Sequence, residues 1–437
     1  MSAKISPVGV SDFSAWPKLK YVAKIRGGAG FPPEEQGQTG NELPFYKVNA
    51  LESSTKNGVL SAPGDTVSSI TAERLGAHIF NPGTTVFAKV GAALLLNRFR
   101  QINCPACLDN NMMGLEPDES RVLPRYLMYA LCTKDLSFVA NPGAVPSVNA
   151  SQIADERIYC PSIVQQTRIA NFLDEQTARI DALIAEKERL RVLVEEQFKA
   201  RLGTAVVEGL HRQRRLVPAI KKGFESVRED WALIPIKHIA TVGGGMTPSK
   251  EREEFWGGAV PWVSPKDMKR FVLHDSEDHI TDEAVSSTSL RVHPVDSVLI
   301  VVRGMILAHT FPVAMNAVPV TINQDMKALR ANSRMSAEYL AWMLRGLAPL
   351  MLSLTEESAH GTKALRTEQW GNQAVPVPHE EEQAQLVAQF RNWEREAMEL
   401  STHLDEHILL LREYRSSLIS AAVTGQLDID NFGREVA

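Results

Sequence analysis

The chain has 437 residues, 44% hydrophobic and 23% charged, proportions that exclude wholesale disorder and allow two or three domains, each with its own core. No apolar run approaches the roughly 20 residues that span a bilayer, and the opening MSAKISPVGVSDF lacks the basic start, apolar centre and cleavage site of a signal peptide. Four cysteines are too few for a disulfide framework, so a soluble protein of the reducing cytoplasm is expected. The net charge of −5 is uneven: residues 379–437 hold 5 basic and 12 acidic residues, more than the whole excess. Only local clusters can therefore speak for or against a nucleic-acid partner.

In chain order, residues 1–162 read as a strand-rich mixed domain, with short β-branched runs such as Thr84-Thr85-Val86 separated by Gly, Pro, Asn and Asp. Residues 163–212 hold a helix with almost no breakers, from about Gln165 to Val207. Residues 213–378 form a second strand-rich domain, and residues 379–437 a second long helix, from about Glu381 to Val423, with a tail. Pro161 before the first helix, and Pro376 and Pro378 before the second, fix the entries; Gly209 and Gly425 are placed as helix stops.

This order is a duplication with a period of about 210 to 218 residues. Trp16-Pro17-Lys18-Leu19 and Ile25-Arg26-Gly27-Gly28 are answered by Trp231 to Ile236 and Thr241-Val242-Gly243-Gly244. Pro44 to Val48 answers Val260 to Ser264, Ile70 to Glu73 answers Ile280 to Glu283, Asn81 to Val86 answers His293 to Val298, and Tyr126-Leu127 answers Tyr339-Leu340.

In the second long helix, Leu386, Phe390, Trp393, Ala397, Leu400, Leu404, His407, Leu411, Tyr414 and Leu418 follow a 4-3 spacing, the seam of a coiled coil. His407 reads as a polar, register-setting seam residue. The first helix begins in the same register with Ile169, Leu173, Ile180, Leu183, Leu190 and Val194, then slips to Phe198 and Leu202. Each would be a rod of roughly 60 Å. An antiparallel pairing within the chain would place the globular domains at opposite ends, related by an approximate twofold; two unrelated dimerisation helices are the alternative.

Catalytic motifs are absent. Nothing reads as G-x-x-x-x-G-K-[ST] or as G-x-G-x-x-G after a strand, and Asn81-Pro82-Gly83 and Asn141-Pro142-Gly143 lack the aromatic residue that would stack on a flipped base. Cys104-Pro105-Ala106-Cys107 has metal-ligand spacing without a second pair, so no metal site is expected. Gly243-Gly244-Gly245 suits either a phosphate-facing backbone or a tight turn.

What remains is basic and polar residues at matching places. The first domain offers Lys18, Lys20, Lys24 and Arg26 leading into Gly27 and Gly28, then Lys47, Asn49, Arg98 and Arg100. The second offers Lys237, Gly243, Gly244, Thr247, Ser249 and Lys250, then Lys266, Lys269, Arg270, Arg303, Lys363 and Arg366. Lys and Arg neutralise phosphates, while Arg, Asn, Gln and Ser read base edges; each cluster alone reads as solvated surface, and recurrence in both halves brings a DNA-binding role level with that reading.

The layout, the Trp-led start running to Gly243-Gly244 and Thr247-Pro248-Ser249, Glu381-Glu382-Gln383 after Pro378, and Ala422-Val423-Thr424-Gly425-Gln426-Leu427 resemble the specificity subunit of type I restriction-modification enzymes across essentially the whole chain. The first half departs, with Gln165-Gln166 for Glu-Gln and Val207-Glu208-Gly209 for Val-Thr-Gly. The resemblance implies an α+β chain: two duplicated mixed α/β target-recognition domains, separated by two long antiparallel coiled-coil helices with pseudo-twofold symmetry. It implies a non-catalytic subunit in which each domain reads one half of a bipartite double-stranded DNA target. The helices would set the gap and dock two modification (methyltransferase) subunits, with two restriction (translocase and nuclease) subunits where these exist. No cofactor is expected on this chain; S-adenosylmethionine, ATP and magnesium would belong to the partner subunits. Two readings stay open beside it: a coiled-coil adaptor whose twin domains bind proteins or peptides, and a nuclease or methyltransferase with an unrecognised site.

Overall fold

The computed structural model describes residues 16–52, 58–61, 64–210, 215–219, 223–357 and 362–433, so the opening MSAKISPVGVSDF lies outside the described residues. Contacts divide the chain into two units: residues 1–189 with 404–437, and residues 190–403.

The first unit is built on a four-stranded antiparallel sheet in the order Ala23–Gly27, Met112–Pro117, Thr85–Ala88, Arg100–Gln101. Thr85–Ala88 is buried at every position because both faces are covered. Phe87 joins the core with the helix Pro124–Leu131, while Val86 and Ala88 join a separate cluster with Tyr46, Phe80 and Ile102. A smaller sheet orders Thr66–Val67, Leu43–Tyr46 and Cys107–Leu108, the last pair parallel.

The second unit repeats the plan. Its sheet runs Ala240–Gly244, Met326–Ala331, Val298–Val301, Val313–Asn316, with Val272–Leu273 added in parallel at the edge. Val298–Val301, a run of β-branched and leucine residues, is again fully buried, as expected of a central strand covered on both faces. The helix Ala337–Gly346, capped by Ser336, whose hydroxyl accepts the Tyr339 N–H, packs on this sheet as Pro124–Leu131 does on the first.

Backbone hydrogen bonds set the register of the duplication. The Leu19 N–H donates to the Glu156 carbonyl, as the Ile236 N–H does to Gln373, so the strand Ala23–Gly27 matches Ala240–Gly244 residue for residue. Gly27 therefore corresponds to Gly244 and Gly28 to Gly245, one position beyond the alignment suggested by the glycines alone.

The long helices span Ile163–Glu208 and Glu380–Val423. The glycines beyond them, Gly209 (φ 77°) and Gly425 (φ 75°), are left-handed, a conformation in which a Cβ would clash. Each helix enters through the same latch. In the first unit buried Gln166 donates from Nε2 to the carbonyls of Pro161 (2.8 Å) and Arg121 (2.9 Å), and its Oε1 accepts the Leu123 N–H (2.8 Å). In the second, buried Gln383 does the same to Pro378 (3.0 Å), Arg334 (2.9 Å) and the Ser336 N–H (2.8 Å). Glu382 beside it holds Arg228, which is only 2% exposed, with Asp230 as second partner and the Trp231 indole N–H as a further donor to Glu382.

Within the first unit the two helical segments run antiparallel, with Asp181 paired to Arg415 (2.8 Å) and Glu188 to Arg412 (3.0 Å). In the second, Phe198 and Leu202 share one core with Leu386 and Phe390, and the Arg201 guanidinium lies over Trp393. Ile169, Leu173, Ile180, Leu386, Phe390, Leu404 and Leu418 are buried, and Trp393 and Leu411 are half-buried.

The regular 4-3 seam needs correction elsewhere. Leu183, Leu190, Leu400 and Tyr414 are 40–52% exposed, and His407 is exposed with Lys187 as its neighbour at 3.3 Å. After Leu404 the inward positions are Ile408, Leu411, Arg415 and Leu418. The run Ile408-Leu409-Leu410-Leu411 is apolar at four successive places, so sequence alone fits two registers one residue apart. The Asp181–Arg415 ion pair occupies the one taken here, in place of Tyr414.

Candidate nucleic-acid interface

The glycine-rich segments are explained by packing. A Cβ on Gly28 would lie 2.2 Å from the Asp109 carbonyl oxygen, and one on Gly245 would lie 2.1 Å from that of Ile322. Gly243 faces the His293 ring at 2.4 Å, whereas Gly27 and Gly244 meet only the tips of Lys89 and Lys327. Close packing accounts for Gly28, Gly243 and Gly245, and Gly243 and Gly244 lie in the strand Ala240–Gly244 rather than in the tight turn that was one reading of Gly243-Gly244-Gly245.

What these glycines pack against is a pair of matching turns. In the first unit the Asp109 N–H donates to the Tyr46 carbonyl, Met112 N–H to the Asp109 carbonyl and Lys89 N–H to that of Asn111. In the second, the Asn323 N–H donates to Val263, Met326 N–H to Asn323 and Val302 N–H to Asp325. The side chain at the head of each turn accepts the N–H two residues on: Asn111 N–H to Asp109 Oδ1 at 2.7 Å, and Asp325 N–H to Asn323 Oδ1 at 3.1 Å. This is the local bond that favours Asp and Asn in turns. At the tips stand exposed Asn110 and Gln324; the Thr247 hydroxyl donates to Gln324 Oε1. Sequence reasoning missed both turns, although Leu108-Asp109-Asn110-Asn111-Met112 beside Ile322-Asn323-Gln324-Asp325-Met326 carries the signal once the repeat register is known.

The basic candidates separate by partner. Lys18 and Lys20 share Asp155 at 3.0 and 2.9 Å, and their hydrogen bonds, Lys20's first, bring its carboxyl down to about 2. Arg26 faces Glu116 at 3.8 Å, and Arg98 pairs with Glu52 at 3.1 Å. Lys47 pairs with Asp65 at 2.8 Å; burial opposes ionisation of Asp65, but Lys47 and the Gly37 N–H hold its carboxyl below the usual range. Lys266 lies between Asp278 (2.9 Å) and Glu277 (3.0 Å), whose hydrogen bonds raise its affinity for its proton, and Lys269 is 3.7 Å from Glu277. Arg303 pairs with Asp325, Lys363 with Glu357 and Arg366 with Glu356.

Arg100 is half-buried, its Nη1 donating to the Phe99 carbonyl at 2.9 Å and its buried Nε without a hydrogen-bond partner among the described residues. Lys24 and Asn49 are exposed. Ser249 is exposed, and its carbonyl accepts the Trp256 indole N–H. Lys237, Lys250 and Arg270 are exposed and, among the described residues, carry no ion pair. Cations already neutralised by carboxylates release few counterions on meeting DNA, so Lys250 and Arg270 are better phosphate ligands than Lys266. No cluster of three or more His, Cys, Asp or Glu among the described residues could hold a metal ion. Cys107 is buried, which pushes its thiol up to about 11.

Both units carry this arrangement, and both match one family model, described as the type I restriction modification DNA specificity domain, over residues 16–191 and 228–410. The chain belongs to that family. It is 29% identical over 279 residues to the EcoR124I/EcoR124II specificity subunit of Escherichia coli, an alignment covering 62% of this chain. It is 30% identical over 166 residues to the MjaIX specificity subunit of Methanocaldococcus jannaschii, covering 37% of each. The matches span 63% and 37% of these curated relatives' lengths. The fold is shared with a chain from a study of complex assembly and conformational transition in the type I restriction-modification system (TM-score 0.65, 16% identity, 94% of this chain and 98% of that one). It is shared too with the HsdS subunit of Thermoanaerobacter tengcongensis (TM-score 0.50, 15% identity, 97% and 100%). The chain thus has a duplicated domain and two long helices. Its Glu382-Gln383 phrase is the arginine clamp and helix latch; in the first unit Gln165 stands where Glu382 does, and only the latch is kept.

Proposed function

We propose that this chain is the sequence-reading, non-catalytic subunit of a type I restriction-modification complex. Each unit reads one half of a bipartite double-stranded target, and the paired helices set the gap and dock two modification subunits. Those subunits bring S-adenosylmethionine and the methyl transfer; restriction subunits, where present, bring ATP, magnesium and cleavage. The complex works in the cytoplasm.

The observation that carries this reading is that the family match falls on both units and that both present the same braced turn beside basic residues. A rigid backbone displaying polar tips next to cations is what groove reading and phosphate anchoring need. The test is methylome sequencing of cells expressing the chain with its modification subunit. A two-part methylated motif with a fixed gap is expected. Unmodified DNA, together with no salt-dependent DNA affinity of the assembled complex, would favour the twin-domain adaptor instead.

A further inference from the structure

Building on the DNA-reading function just proposed, we propose that Asn110 and Gln324 are specificity-determining residues, each reading one adenine in its own half-site. Both are carboxamides, both are exposed, and both occupy the middle of the same three-residue turn. A carboxamide offers one acceptor and one donor on adjacent atoms. That pair matches the N6 amino group and N7 of adenine in the major groove and mismatches guanine, which presents two acceptors there.

The turns supply the rigidity that such reading requires. In each turn one backbone hydrogen bond closes the turn on itself and two tie it to neighbouring segments, and the Asp109 or Asn323 side chain closes it from within. A cation already paired with a carboxylate adjoins each turn. Lys47 follows Tyr46, whose carbonyl accepts the Asp109 N–H, and Arg303 is tied to Asp325 in the next position after Gln324.

The units differ in how the carboxamide is aimed. The Thr247 hydroxyl donates to one lone pair of Gln324 Oε1, leaving the other lone pair and both Nε2 hydrogens for a ligand. Gly30 stands at the matching place in the first unit, since Ala29 and Met246 donate their N–H groups to the matching carbonyls of Leu108 and Ile322. The shorter Asn110 therefore has no such orienting hydroxyl. Thr247 is a positioning residue for the longer side chain.

The experiment is methylome sequencing, with competition binding to DNA, for the full chain assembled with its modification subunit. Gln324→Ala should remove the requirement for one adenine in one half-site, lowering discrimination there roughly 5- to 150-fold and leaving the other half-site unchanged. Asn110→Ala should do the same in the other half-site. Thr247→Ala should weaken the Gln324 position alone, and Thr247→Ser should restore it, which a merely structural role would not predict. Both tips are solvent-exposed, so the variants should fold; unchanged melting confirms that. If the wild-type complex yields a two-part motif and both tip variants keep it intact, the assignment is wrong while the DNA-reading function stands. If the wild-type complex yields no motif, the function itself fails.

Discussion

Gln166 and Gln383 each commit one buried carboxamide to three backbone groups, tying the first turn of a long helix to the loop ahead of the domain's packed helix. Replacing either by Ala would strand two carbonyls and an N–H away from water, at a cost of about 2–4 kcal/mol. The melting temperature of Gln166→Ala or Gln383→Ala should fall accordingly, and an unchanged value would show that water replaces the side chain. In sequence this glutamine was visible only as part of a family phrase; nothing about one Gln after a proline says that it will be buried. The cations were visible too, but their partners were not, because Asp278 and Glu277 meet Lys266 across a fold. Removing Lys250 and Arg270 together should lower the slope of log affinity against log salt by about two units in the assembled complex. Lys266→Ala should change that slope far less, and an equal effect would mean that DNA displaces its carboxylates.

At the scale of elements, the duplicated plan hides a reversal of charge. Arg125, on the helix Pro124–Leu131, donates to Asp174 on the first long helix at 2.6 Å. At the equivalent place in the second unit the acid is on the domain helix and the base on the long helix: Arg391 donates to Glu338 from Nε at 2.6 Å and again from Nη2. Either domain helix set on the other's long helix would bring like charges together, so the reversal discriminates between two otherwise similar docking surfaces. Arg125→Glu alone should destabilise the first unit by about 1–3 kcal/mol, and Arg125→Glu with Asp174→Arg should recover most of that in thermal melts. The more exposed Arg391 pair should give about 0.2–1 kcal/mol. Failure of the double variant to recover would make the pair incidental. The long helices themselves were legible because nothing interrupts them and the apolar spacing persists. Their inward edge was not, since Ile408 to Leu411 leaves two registers open and the Asp181–Arg415 pair belongs to one of them. Leu404→Asp should therefore unfold the helix pairing by placing a carboxylate in an apolar seam. Leu400→Asp, at a position 49% exposed, should leave the melting temperature within about a degree or two, an effect on the order of a surface substitution.

For the whole molecule, the proposed function makes helix length a determinant of the target. On that proposal the helix Ile163–Glu208, which runs from one unit into the other, would contribute its rise per residue to the spacing that the complex selects. Inserting four residues near Glu186 adds about 6 Å and turns the helix by roughly 400°. That is one turn and a remainder of about 40°, small enough for the inward-facing positions to stay near phase. The insertion falls where Lys187 and Glu188 meet His407 and Arg412, among polar contacts rather than in the buried clusters, so pairing on either side should persist. Base pairs are about 3.4 Å apart, and the preferred gap between half-sites should therefore lengthen by one or two base pairs while both half-site sequences stay as they were. The methylated motif of the insertion variant measures this directly. A gap that does not change would show that the helices do not set the spacing. Altered half-sites would show that the insertion reaches the recognition turns themselves, which the local bracing around Asn110 and Gln324 argues against.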